Sequence, residues 1–118
     1  MKDRKVSILG EIWQLKFSTE ENCERLKGCD GLCDFSIRTI YIDTLDCAKG
    51  DPSSQQDLES YINKNIRHEI VHAFLYESGL EGNSLKLEEG WANNEEMVDW
   101  IAIQFPKILK VFQELDVL

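Results

Sequence analysis

Residues 54–79 read SQQDLESYINKNIRHEIVHAFLYESG and predict one long helix. The preceding segment, Asp51-Pro52-Ser53, breaks regular structure, so the helix is expected to begin near the capping residue Ser54. It is expected to end at about Glu77, because Gly79 readily adopts the left-handed conformation that terminates helices. An apolar stripe recurs every four residues, and two apolar residues lie on another side: Leu58, Ile62, Ile66, Ile70 and Phe74, then Val71 and Leu75. Such a helix is expected to be covered on more than one side.

Two histidines stand four residues apart in this helix. His68 and His72 are expected on one face, where both imidazoles can bind the same metal ion. Glu69, one step around the helix, can reach a metal-bound water without ligating the metal. This is the HExxH arrangement of two zinc ligands and a general base. Because zinc lowers the pKa of bound water from about 15.7 to about 7, the motif predicts a Zn2+ site that hydrolyses peptide bonds.

A catalytic zinc ion takes a third protein ligand and keeps one position open. The chain contains only two histidines, so the third ligand is expected to be a carboxylate or a thiolate. Glu95 is preferred, because it shares a helix face with Val98, Ala102 and Phe105 that is expected to look toward the motif helix. Asp99, one turn further on, is expected to accept the N–H of a ligating histidine.

Other residues compete for the third position. Asn93 is predicted to cap the last helix, and Glu96 fits the capping box three residues later. A small rotation of this helix would exchange the roles of Glu95 and Glu96 as metal ligand and capping residue. Glu88 and Glu89, in the preceding loop, are weaker candidates. Cys33 is a further alternative, since thiolates serve catalytic zinc in some folds.

The first half of the chain predicts strands. Residues 6–17 alternate as two strands around Gly10-Glu11, and residues 35–42 are a β-branched and aromatic strand that can form a hairpin with 32–35. Residues 18–27 fit a short helix or a loop. The last helix is expected from Asn93 to Phe112, with a kink at Pro106. The predicted fold is α+β: a single domain over 1–118, with a small antiparallel sheet on the motif helix and a C-terminal helix across the cleft.

Composition restricts the partners. The 118-residue chain has a net charge of −9 and a pI near 4.6, which disfavours nucleic acid and membrane surfaces and suits a basic peptide. The N-terminal apolar run is too short for a signal peptide, so a cytoplasmic location is expected. The four cysteines are then expected to be free thiols, and their spacing lacks the paired CxxC of a structural zinc site: Cys23, Cys29, Cys33 and Cys47.

The run from Asn94-Glu95 to Asp99 after HExxH resembles the gluzincin pattern. More closely, residues 67–80, 91–100 and 105–108 resemble a family of small phage- and prophage-encoded zincin-like proteins, and Gly31-Leu32-Cys33-Asp34 is also similar. The resemblance implies a metallopeptidase-like core in a protein made in a bacterial host cell.

The chain departs from the gluzincin pattern in one respect. Gluzincins offer a downstream His or Tyr to the oxyanion, and here neither follows Tyr76. Tyr76 lies on the ligand face but is expected to pack there. Arg38 or Tyr41 is a possible substitute, on the strand expected to flank the cleft.

Three functions compete. The first is a zinc metallopeptidase with a peptide or protein substrate. The second is a non-catalytic, zinc-stabilised binding or regulatory module, which would differ by a closed fourth coordination position. The third is a helical interaction domain without metal, which the apolar surroundings disfavour because buried imidazoles need polar partners.

Overall fold

The first two strands form a tight hairpin. The structure, a computed structural model, describes residues 1–82 and 90–118. Strand β1 (Arg4–Ile8) pairs antiparallel with β2 (Glu11–Ser18), and Ile8 lies opposite Glu11. The turn between them, Leu9-Gly10, has positive φ at both residues (48° and 87°), as a type I′ turn requires. The predicted hairpin is confirmed, with its turn one residue earlier than the predicted Gly10-Glu11.

The second hairpin differs in part from its prediction. Strands β3 (Gly31–Asp34) and β4 (Thr39–Asp43) pair antiparallel, but residues 35–37, predicted as strand, form a 3-10 turn. The Asp34 side chain accepts a hydrogen bond from Ser36 N, and Arg38 closes the turn with a φ of 47°. This local capping interrupts a segment whose composition favours a strand. Residues 18–27 contain one 3-10 turn, Glu24–Leu26.

The four strands form one mixed sheet in the order β1-β2-β4-β3. Strands β2 and β4 pair in parallel, with Leu15 opposite Ile40 and Phe17 opposite Ile42, so the predicted purely antiparallel sheet is wrong. Strand β4 is buried at four of its five positions. Because it lies between β2 and β3, backbone groups on both of its edges are hydrogen-bonded. Strand β3 is left at the edge of the sheet, beside the motif helix.

The motif helix, α1 (Leu58–Glu77), starts later than predicted. Asp57, not Ser54, is the N-cap, and its Oδ1 accepts a hydrogen bond from Ser60 N at 2.9 Å. The C-terminal end agrees with the prediction, and Gly79 has a φ of 80°. An aspartate inside the predicted span therefore takes the capping role, because it can satisfy an otherwise unpaired amide.

Helix α1 is covered on two sides, as expected. Its sheet side joins the main core, which consists of Ile8, Trp13, Leu15, Ile40, Ile42, Ile62 and Ala73. Its other side packs through Leu75 against Ala92 and Val98. The predicted stripe fails at Phe74, which is 42% exposed. Residues four apart advance about 40° around a helix, so the five residues of the stripe cannot all face one partner.

The last helix, α2 (Glu95–Glu114), is capped by Asn94, whose side chain accepts from Met97 N at 2.8 Å. The predicted cap at Asn93, with Glu96 in a capping box, is therefore wrong by one residue. Helix α2 includes Pro106 and continues past the predicted end. Residues 83–89, which include the weaker ligand candidates Glu88 and Glu89, lie outside the described residues. In the part of the chain that the structure describes, no helix combines the length and apolarity needed to cross a bilayer.

Glu77 ties the end of α1 to the sheet. Its Oε1 accepts hydrogen bonds from Trp13 Nε1 at 2.9 Å and from Arg38 Nε at 2.6 Å. The Arg38 hydrogen bond lowers the pKa of Glu77. Because the folded-state pKa lies below the unfolded value of about 4.3, the carboxylate stabilises the fold above that pH. This stabilisation is lost as the pH falls through the folded-state pKa.

We therefore expect Glu77→Gln to lower the free energy of unfolding at neutral pH and to lose that difference in acid. The amide can still accept from Trp13 but carries no charge opposite Arg38. Urea unfolding of the parent and the variant, from neutral pH to below about pH 4, measures the difference. Glu59→Gln, an exposed position on the same helix, is the control. A difference that stays constant across the pH range would contradict this interpretation.

Candidate metal centre

Three side chains from two helices converge beside β3. His68 Nε2 lies 3.0 Å from His72 Nε2 and 3.0 Å from Glu95 Oε2, and His72 Nε2 lies 3.2 Å from Glu95 Oε1. Among the described residues, these three alone form a cluster of potential metal ligands. The histidine side chains are largely buried, at 14% and 13% exposure, while Glu95 is 68% exposed. The cluster therefore faces solvent on one side.

The two helices explain this convergence. One turn of α1 separates the histidines, and the Asn94 cap makes Glu95 the first residue of α2. The helices are held together by Val98, which is fully buried, and by the hydrogen bond from Arg67 Nε to Ala102 O. The N-terminus of α2 is thereby fixed next to the histidine face of α1.

The donor set fits zinc. Two imidazole nitrogens and a carboxylate are a ligand set of catalytic zinc sites, in which bonds of about 2.0–2.1 Å put neighbouring ligand atoms about 3.3 Å apart. The three observed separations, between 3.0 and 3.2 Å, are close to that value. His68, His72 and Glu95 would hold the ion after small adjustments.

Asp99 orients one of the histidines. His68 Nδ1 lies 2.8 Å from Asp99 Oδ1, and Lys64 Nζ lies 3.4 Å from the same oxygen. Burial opposes ionisation of Asp99, but the His68 hydrogen bond and the Lys64 charge outweigh it and lower the pKa of the carboxyl. An ionised Asp99 accepts the Nδ1 proton, which leaves the Nε2 lone pair of His68 directed at the cluster.

Glu69 is buried next to the cluster, at 8% exposure. Burial raises the pKa of Glu69, and the adjacent histidines oppose the rise. Gly31 of β3 lies directly against its side chain: a Cβ on Gly31 would be 2.9 Å from Glu69 Oε1 and 3.0 Å from Cγ. Because residue 31 has no side chain, the Glu69 carboxylate can pack directly against β3.

Gly31→Ala is accordingly expected to displace Glu69 while leaving the three ligands in place. In the hydrolase that the HExxH motif predicts, a shift of about 1 Å in the general base can cost about 100-fold in rate, so we expect kcat to fall by that order with zinc affinity unchanged. Gly82→Ala is the matched control, because its Cβ would meet nothing nearer than 4.0 Å. Kinetics on a cleaved peptide, with zinc titration and thermal unfolding, measure this. Full activity in Gly31→Ala would show that the contact does not position Glu69.

Cys33 is not part of the cluster. Its thiol donates to the backbone oxygen of Glu69 at 3.0 Å. Burial, and then the negative charge of Glu69, raise the pKa of Cys33 well above its usual range. The thiol is directed at this backbone oxygen and not at the two histidines and Glu95, and this geometry argues against the Cys33 alternative. All four cysteines are free, as expected, and none belongs to a metal-ligand cluster within the described residues.

The three residues considered for the oxyanion role lie elsewhere. Tyr76 stacks on Phe35, with ring centroids 4.7 Å apart, as its predicted packing role requires. Arg38 is engaged by Glu77. The Tyr41 ring contacts Lys16 and Arg25, while its neighbours in β4 fill the core, so it lies on the sheet face away from α1. Neither Arg38 nor Tyr41 lines the groove that contains the cluster, which argues against either residue in the oxyanion role.

The cluster opens into a groove of about 300 Å³ between β3, α1 and α2. Its lining includes residues to which the sequence analysis gave no role in the site: Gly31, Leu32, Phe35 and Asn93. A larger cavity, about 660 Å³, lies away from the cluster against acidic side chains such as Glu20, Glu21 and Asp46. Among the described residues its carboxylates form no metal-ligand cluster, so the smaller groove is the candidate site.

The geometry brings His68, His72 and Glu95 together, with Asp99 hydrogen-bonded to His68 and Glu69 lining the same groove. Glu96 takes no part in this cluster, although it is the next residue along α2. Comparisons of the chain with protein-family models, with curated proteins and with solved structures return no match.

Proposed function

We propose that this protein is a zinc-dependent metallopeptidase with a minimal zincin-like fold. The observation that carries the proposal is the convergence of His68, His72 and Glu95 beside the buried carboxylate of Glu69. Two imidazoles, one carboxylate ligand and an adjacent general base form the constellation that HExxH hydrolases use. The exposure of Glu95 supports a site that a substrate can reach.

The residues have separable roles. Zinc, when bound by His68, His72 and Glu95, supplies a Lewis acid that polarises a carbonyl and makes water acidic. Glu69 accepts the proton of the attacking water and delivers it to the leaving amine. Its burial strengthens this role, because a carboxylate with few water contacts is a stronger base. Asp99 keeps the His68 ring in the orientation that a ligand needs.

Strand β3 supplies a way to hold a peptide. It is one of the two edge strands of the sheet and borders the groove through Gly31, Leu32 and Cys33. A substrate added as a further strand would pair with its backbone and pass across the cluster. The net charge of −9 favours substrates that are not acidic. From the resemblance to phage- and prophage-encoded zincins, we extend the proposal to peptides or proteins in a bacterial cytoplasm.

A closed, purely structural zinc site is the alternative. In the described part of the chain the cluster has three members, and the Cys33 thiol is directed at a backbone oxygen instead. Structural zinc is almost always bound by four protein ligands, so the three-residue set favours catalysis.

The direct test is hydrolysis of an unbiased peptide mixture, followed by mass spectrometry. We expect cleavage products with zinc, their disappearance with a chelator, and their return when zinc is restored. A His68→Ala protein, purified in the same way, controls for contaminating peptidases. Products that persist in that variant, or no products from the zinc-loaded parent, would refute the proposal.

A further inference from the structure

A second cavity adjoins the candidate metal centre. It has a volume of about 200 Å³ and shares three residues with the groove already described: Gly31, His68 and Glu69. Its remaining wall consists of polar side chains one or two turns before His68 on α1, or facing them: Asp30, Tyr61, Lys64, Asn65 and Asp99. A peptide lying along β3 would therefore pass the metal centre with one part of its length and reach this cavity with another.

Asn65 is the unexplained residue of this cavity. It is only 6% exposed, yet its Nδ2 is buried without a hydrogen-bond partner. Across the cavity, the Tyr61 hydroxyl donates to Asp30 Oδ2 at 2.5 Å. That bond raises the pKa of Tyr61, and the nearby Asn65 amide opposes the rise without reaching hydrogen-bond geometry. A buried donor without a partner costs about 1–3 kcal/mol, so a ligand acceptor that reaches the Asn65 amide would be favoured in this cavity.

The wall chemistry restricts that group. Its polar surface disfavours an apolar side chain, and the carboxylates of Asp30 and Asp99 repel an acidic one. A basic side chain offers only donors, so it cannot accept from Asn65, and it meets the ammonium group of Lys64. A carboxamide offers both an acceptor for the Asn65 amide and donors for the Asp30 carboxylate.

We propose that this cavity is a substrate subsite for a carboxamide side chain, Asn or Gln, on the residue that lies beside the Gly31 end of β3. The inference rests on the proposed peptidase function, because it assigns a specificity to the same cleft. Asn65 is then a specificity-determining residue that contacts substrate but takes no part in the proton transfer by Glu69.

Peptide binding tests this subsite without requiring hydrolysis. The protein is zinc-loaded Glu69→Gln, and the probes are short alanine-based peptides in which one position at a time carries Gln, Glu, Lys or Leu. We expect one position at which the Gln peptide binds about tenfold more tightly than the Leu peptide, as one completed hydrogen-bond pair allows. Asn65→Leu in the same background should abolish that preference, whereas Asn63→Leu, an exposed position on α1, should keep it.

A variant-independent readout accompanies the titration. The side-chain amide signals of Asn65 in the nitrogen-15 spectrum should shift on addition of the Gln peptide and not of the Leu peptide. Equal binding of all peptides, a preference for Lys, or a preference that survives Asn65→Leu would overturn the inference, as would unmoved Asn65 signals. If the Gln preference holds but the parent cleaves no peptide, the peptidase proposal fails while the carboxamide site stands.

Discussion

Replacing Glu69 with Gln is expected to lower kcat by about 10²–10⁴-fold, the contribution that a positioned general base makes. The amide has nearly the shape of the carboxylate and fits the space against Gly31, but it cannot accept a proton. Zinc affinity should be unchanged, because Glu69 is not one of the three clustered ligands. Steady-state kinetics on a cleaved peptide, together with zinc titration, separate these two effects.

The control for this substitution is Glu59→Gln. Glu59 is exposed in the first turn of the same helix and makes no contact with the cluster, so its variant should retain parental kcat and zinc affinity. If Glu69→Gln keeps full activity with zinc bound, the residue is not the general base. If it loses zinc, Glu69 holds the metal itself.

Replacing Glu95 with Ala is expected to weaken zinc binding by more than about 100-fold, since even partners that only orient a ligand contribute 10–100-fold. Both oxygens of Glu95 face the histidine pair, at 3.0 and 3.2 Å from the Nε2 atoms, so their removal leaves two imidazoles alone. Competition with a chromophoric zinc chelator measures the dissociation constant.

Glu96→Ala is a closely matched control for Glu95→Ala. The two residues are neighbours in the first turn of α2, both acidic and exposed, and both interact favourably with the helix dipole. Both variants therefore lose the interaction with the helix dipole, but only Glu95→Ala is expected to lose a metal ligand. Equal zinc affinities in the two variants would show that Glu95 is not the third ligand.

The sequence predicted the parts of the fold that depend on neighbouring residues. The hairpin predicted around Gly10-Glu11 and the end of α1 before Gly79 follow from local backbone preferences; the helix end agrees with the structure, and the hairpin forms with its turn one residue earlier. The parallel pairing of β2 with β4 does not, because it joins segments that are more than twenty residues apart in the chain. Its register depends on how two hairpins share one core, which no local pattern specifies.

The candidate site could likewise be predicted only where positions within one helix determine it. The spacing of His68 and His72 on one helix was sufficient to place both imidazoles together, and helix periodicity favoured Glu95 over Glu96. The contact of Gly31 with Glu69 and the unpaired amide of Asn65 could not be anticipated, since each depends on the approach of β3 to α1. The predicted apolar stripe also fails at Phe74, because residues repeating every four positions drift around the helix and do not stay on one side.

The central claim is that His68, His72 and Glu95 hold one zinc ion with a position left for substrate. A crystal structure of the zinc-soaked protein, with anomalous data at the zinc edge, tests it most directly. We predict one anomalous peak within bonding distance of both Nε2 atoms and of the Glu95 carboxylate, at about 2.0–2.2 Å, with no fourth protein ligand. A peak ligated by a fourth side chain, or no peak between α1 and the start of α2, would contradict the account.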